Sequence, residues 1–184
     1  AARWKKENIT PAIRCSDAEF LRRVALDVGG KIPSVAESRR FLSQTATVMK
    51  RRELVDHFLS GPGYVNHFAN IWRKSMMPEA DSDIQVRALM PGFEAWLRKQ
   101  LTQDIRYDDM VRDVLTTPLN AQQAMNLYQD RIGEPTAIGF YQAKQIKAEN
   151  LAASTSRIFL GIRIECAQCH DHPFDSWSQD QFWS

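Results

Sequence analysis

Two thiols and an imidazole are crowded into the stretch Cys166-Ala167-Gln168-Cys169-His170. The order C-x-x-C-H is the attachment signal for c-type haem. Thiols three residues apart lie on one side of a helical turn. From there both can reach the two vinyl groups of a single porphyrin. The histidine that follows at once sets its imidazole beneath the iron as proximal ligand. This reading makes Cys166, Cys169 and His170 the residues that bind a haem c.

The same stretch supports two other chemistries. His172 adds a second imidazole, so Cys166, Cys169, His170 and His172 form a soft set of two sulfurs and two nitrogens suited to a zinc or iron ion. Four ligands from so short a loop strain a tetrahedron, and a donor from elsewhere would be needed. Only in this alternative is His172 a metal ligand. The remaining chemistry is a thiol pair or disulfide between Cys166 and Cys169. In the haem reading His172 cannot serve the opposite porphyrin face, because residues two apart do not share a helical face and Pro173 turns the chain away. His172 is then expected to bond to Asp171, Asp175 or backbone, and to hold the loop 171–175 against a helix over 146–160.

Other candidates carry less chemistry. His57 and His67 fall on helical segments beside apolar residues, where a histidine is more often surface or hydrogen-bonded core than a ligand. Met76, Met77, Met90, Met110 and Met125 offer sulfur, but methionine is commonly core filler. Cys15 has no partner in sequence and reads as a buried thiol. The tryptophans read as core, except Trp177, which follows the motif closely enough to cover a porphyrin edge. There is no phosphate loop, no H-E-x-x-H and no G-x-S-x-G. The expected role is therefore an electron carrier or structural module rather than a stand-alone enzyme.

The elements that must position these residues read as helices with short joints. Ser16 with Glu19, and Ser34 with Glu37, have capping-box spacing. Apolar residues recur at helical intervals over 20–28, 35–42, 48–59, 64–72, 93–101, 107–115 and 146–160. Residues 78–84 read as an acidic loop. Residues 120–139 read as a long loop with one short helix near 124–128. Ile162-Arg163-Ile164-Glu165 alternates, and any strand is expected only there. The fold class is mainly α: one helical domain over 1–184, with a motif segment at 162–176. A hydrophobic content of 43% and a net charge of +2 fit a globular chain with no nucleic-acid footprint. No apolar run of 18 or more residues suggests a membrane span. The chain starts at Ala1-Ala2-Arg3, compatible with a cleaved export signal, and is expected to be the N-terminal part of a longer one.

Four blocks carry a family resemblance. Phe20 to Leu42 contains Asp27, Gly30 and Pro33 in a D-x-x-G-x-x-P turn after an arginine-bearing helix. Leu54 to Trp72 holds a Ser60-Gly61-Pro62-Gly63-Tyr64 joint. Phe93 to Leu115 holds a tryptophan block and a tyrosine-led helix. Ser156 to Trp183 holds the CAQCHDHPFD run. Together they resemble the planctomycete-type cytochrome c domain, a family of unassigned function. The resemblance implies an exported protein of the bacterial periplasm or cell envelope, with a redox protein or larger envelope complex as partner. Its different-class alternative is a non-catalytic envelope or assembly domain. The family usually has a histidine just before the tryptophan that closes the second block; here that position is Ile71.

Overall fold

The computed structural model describes residues 2–45, 47, 49–119 and 134–184. Among them the regular structure is helical and no strand is present. They cluster into two compact units, Ala1–His67 and Phe68–Ser184. The expected short helix at 124–128 lies outside the described residues.

The first unit contains α1 (Ala2–Lys6), α2 (Asp17–Asp27), α3 (Val35–Ser43), α4 (Lys50–Leu59) and the first turns of α5 (Pro62–Met76). Its core joins Leu21, Val24 and Ala25 of α2 to Phe41 of α3 and to Leu54 and Phe58 of α4. These positions recur at three and four, so each helix turns one apolar stripe inward. Ser34 and Glu37 form the full reciprocal capping box. Ser16 caps α2 through the Glu19 N–H, but the Glu19 carboxylate pairs with Arg23 instead of turning back. Asp17 ties the starts of α2 and α4 together, accepting from Lys50 Nζ at 2.8 Å and Arg51 Nε at 2.9 Å. Gly30 sits at φ 70°, against the His67 imidazole, where a side chain would be strained and would also collide with the ring.

The second unit continues along α5, then a 3₁₀ turn at Pro78–Asp81, α6 (Ile84–Ala88), α7 (Met90–Thr102), α8 (Tyr107–Leu115), α9 (Ile138–Ala143) and α10 (Ala148–Thr155). A π turn at Ser156–Leu160, a 3₁₀ turn at Glu165–Gln168 and α11 (Gln179–Trp183) complete it. Met76, Met77, Phe93, Leu97, Val114 and Phe140 are its innermost large side chains. The 78–84 segment is more ordered than its acidity suggests. Ala80 is fully buried, and Asp83 caps α6 by accepting the N–H groups of Gln85 and Val86.

The last long helix differs from the expected 146–160. Gln145 and Ile146 both have positive φ, so the α-helix begins only at Ala148. It then widens into the π turn and stops at Gly161, which takes the left-handed cap at φ 71°. The alternation at Ile162–Glu165 makes no strand. Among the described residues no strand pairs with it, and Glu165 already belongs to the 3₁₀ turn.

Candidate functional site: the Cys166–His170 turn

The 3₁₀ turn gives the thiol spacing its geometry. With three residues per turn, side chains at i and i+3 eclipse. Cys166 opens the turn after Glu165, and Cys169 closes it at φ −110°, ψ −26°. Both thiols are exposed and unbridged. Ala167, a third of a turn round, is 1% exposed and anchors the turn inward. The turn thus buries Ala167 while both cysteines stay exposed.

Backbone and side-chain bonds close the loop that follows. The Gln168 carbonyl accepts from the Trp183 indole Nε1 at 3.0 Å and from the Gln179 side chain at 3.4 Å. The Asp171 carboxylate accepts the Gln179 N–H at 2.9 Å, an acid on the first turn of α11 where free N–H groups favour it. The His172 N–H donates to the Trp177 carbonyl at 2.8 Å. Ser178 and Gln181 form a full capping box on α11. The S-x-x-Q spacing advertises this box, and the sequence reading missed it.

The two motif histidines are fixed in opposite tautomers. His170 Nδ1 lies 2.7 Å from the Asp171 carbonyl oxygen, which can only accept, so Nδ1 carries the hydrogen. In the neutral ring, Nε2 then holds a free lone pair, the form a metal ligand needs. His172 Nδ1 instead accepts the Phe174 N–H at 3.2 Å, which leaves the hydrogen on Nε2. His172 therefore bonds to backbone, one of the expected outcomes. Asp171 and Asp175 cap backbone amides, at Gln179 and Ser176, and not the histidines. The loop closes on α11 rather than through a His172 bond to the helix before the motif.

Two exposed thiols three residues apart, followed by an imidazole with Nε2 available, fit the attachment set of a c-type haem. Cys166 and Cys169 would hold it through thioethers and His170 would supply a nitrogen to its iron. Phe174, 95% exposed, is the large apolar side chain most open to solvent beside the turn, while Trp177 is half-buried. Among the described residues, no group of three or more His, Cys, Asp or Glu side chains is arranged to hold a metal ion.

The remaining candidates stand elsewhere. His57 is exposed on α4, with Nε2 3.4 Å from Arg40 Nη2, beside a cavity of about 260 Å³ lined by Phe41, Leu54 and Phe58. His67 packs on Gly30. Met76, Met77 and Met110 are buried in the second unit's core and Met90 packs against it; Met125 lies outside the described residues. Cys15 is half-buried, and its carbonyl accepts from Arg51. Ile71 is 42% exposed.

A family model described as PSCyt2, protein of unknown function (DUF1549), matches residues 1–184. The chain belongs to this family. No curated protein and no solved structure matches it. The match covers the whole sequence, so all four resembling blocks fall within one family domain, whose function is unassigned. None of its described helices is long and apolar enough to cross a membrane.

Proposed function

We propose that this domain carries one covalent haem at Cys166, Cys169 and His170 and passes single electrons to a protein partner in the bacterial cell envelope. The observation that supports it best is the pairing of two exposed thiols, three residues apart across a 3₁₀ turn, with a histidine whose Nε2 is left free by its own Nδ1–H bond. When bound, haem supplies a one-electron iron centre. The chain's own contribution is placement. Ala167 pins the turn, Gln168 and Asp171 fasten it to α11, and the Asp171 carbonyl orients the His170 ring. Export to the cell envelope is what the resemblance implies.

The test is spectroscopic. Protein purified from cells with an active c-type maturation system should show a Soret band and a c-type pyridine haemochrome that survives acid–acetone extraction. Its reduction should follow a one-electron Nernst curve. A colourless preparation, or one that loses its colour on extraction, would contradict the proposal. Stoichiometric zinc in a colourless preparation would turn the reading to the metal site at the same residues.

A further inference from the structure

The second unit contains a pocket of about 470 Å³ with no residue of the haem attachment set in its lining. It is lined by Ile71, Trp72 and Ser75 of α5 and by Arg157 and Ile158 of the π turn. Its volume falls in the range of small-molecule sites, and its wall has their usual make-up: apolar side chains with a few placed polar groups. The Trp72 indole is half-buried and backed by the Tyr107 ring at 5.8 Å, which steadies an aromatic face. Among the described residues, Arg157 is the only charged one of the lining.

Arg157 is only partly committed. Its Nη1 donates to Glu165 Oε1 at 3.1 Å. A guanidinium has five N–H donors in a fork matched to a carboxylate, and the side chain is 40% exposed. Its partner is also incompletely satisfied: Glu165 Oε2 is buried with no hydrogen-bond partner among the described residues. A buried carboxylate oxygen in that state is costly, so this ion pair is an unfinished contact. The π turn that places Arg157 is itself a rare geometry, frequent at functional sites.

We infer that this pocket binds an aromatic carboxylate, its ring against Trp72, Ile71 and Ile158 and its carboxylate on Arg157. Glu165 is the internal competitor for the same guanidinium. Glu165 directly precedes Cys166, so occupancy of the pocket is felt at the thiol turn. The same ligand chemistry has two sources: a free aromatic acid, or the propionate edge of a haem tethered at Cys166 and Cys169.

The experiment titrates 2-naphthoate into the full chain carrying Cys166→Ala and Cys169→Ala, followed by calorimetry and by tryptophan fluorescence. Because that chain cannot hold covalent haem, the result does not depend on the haem proposal. Saturable one-site binding is expected. Arg157→Gln should weaken it at least tenfold, and Glu165→Gln should tighten it several-fold by freeing the guanidinium. The uncharged 2-naphthalenemethanol should bind at least tenfold more weakly than the acid. A haem-loaded wild-type chain that excludes naphthoate identifies the tethered source; one that still binds it identifies the free source. No saturable binding, or equal binding by the Arg157→Gln chain, overturns the inference. A folded Glu165→Gln chain that binds more weakly also overturns it, because the competitor role then fails.

Discussion

His170 and His172 stand two residues apart and carry their hydrogens on opposite ring nitrogens. His170 donates from Nδ1 to the Asp171 carbonyl, while His172 accepts at Nδ1 from the Phe174 N–H. Only His170 is left with a lone pair at Nε2. His172→Ala should therefore leave the iron spectrum of a haem-loaded chain nearly unchanged. It should cost about 1 kcal/mol for the lost hydrogen bond, measured by urea denaturation. His170→Ala should shift the Soret band and spin state. A spectrum altered equally by both substitutions would contradict the division of roles.

Ser178→Ala removes the side chain that caps α11 and half of its box with Gln181. The expected cost is about 1 kcal/mol. The loss should be local: faster hydrogen exchange over Gln179–Trp183 and in the Cys166–His170 turn, because Gln168 accepts from both Gln179 and Trp183. Exchange unchanged in the turn would show that α11 does not fasten it.

Acid should loosen the first unit through Asp17. Hydrogen bonds from Lys50, then from Arg51, hold its carboxyl below the ordinary value of 3.8. A depressed carboxylate stabilises the folded state above the unfolded value, and this contribution is lost as pH falls through the folded value. Stability should therefore decline as pH drops below about 4. Glu37 acts in the same direction, lowered first by its bond with the Ser34 side chain and then by the Ser34 backbone. Asp17→Asn should flatten part of that slope in urea titrations between pH 5 and 2, taken as roughly bracketing the carboxylate range. An unchanged slope would show that Asp17 does not contribute to it.

Phe93 is fully buried in the second unit, with its ring 5.4 Å from that of Trp96. Phe93→Ala should cost about 3–5 kcal/mol by chemical denaturation, from lost transfer energy and the cavity left behind. A cost below about 1 kcal/mol would mean that the site collapses around the gap, or that Phe93 is not in a packed core.

The helical class was legible because the core residues recur at helical spacing. Met110 and Val114 on α8 and Leu21 and Val24 on α2 are buried where the periodicity places them. The Ser34–Glu37 box was legible for the same reason: a cap is a local contract between side chain and backbone. The short elements were not. Asp83 carries a cap signal, but α6 spans only five residues, too few to show a period. Ile146 at φ 54° has no sequence cue at all, since a β-branched residue is the least expected one in the left-handed region. The thiol spacing was legible at the site. The tautomers were not, because they depend on which backbone group each ring meets.

The central claim is covalent attachment at Cys166 and Cys169, and intact mass tests it most directly. Protein made with an active c-type maturation system should weigh one haem more than its polypeptide. The addition should persist in denaturant and disappear in the Cys166→Ala, Cys169→Ala chain. A wild-type preparation at the bare polypeptide mass would contradict the account.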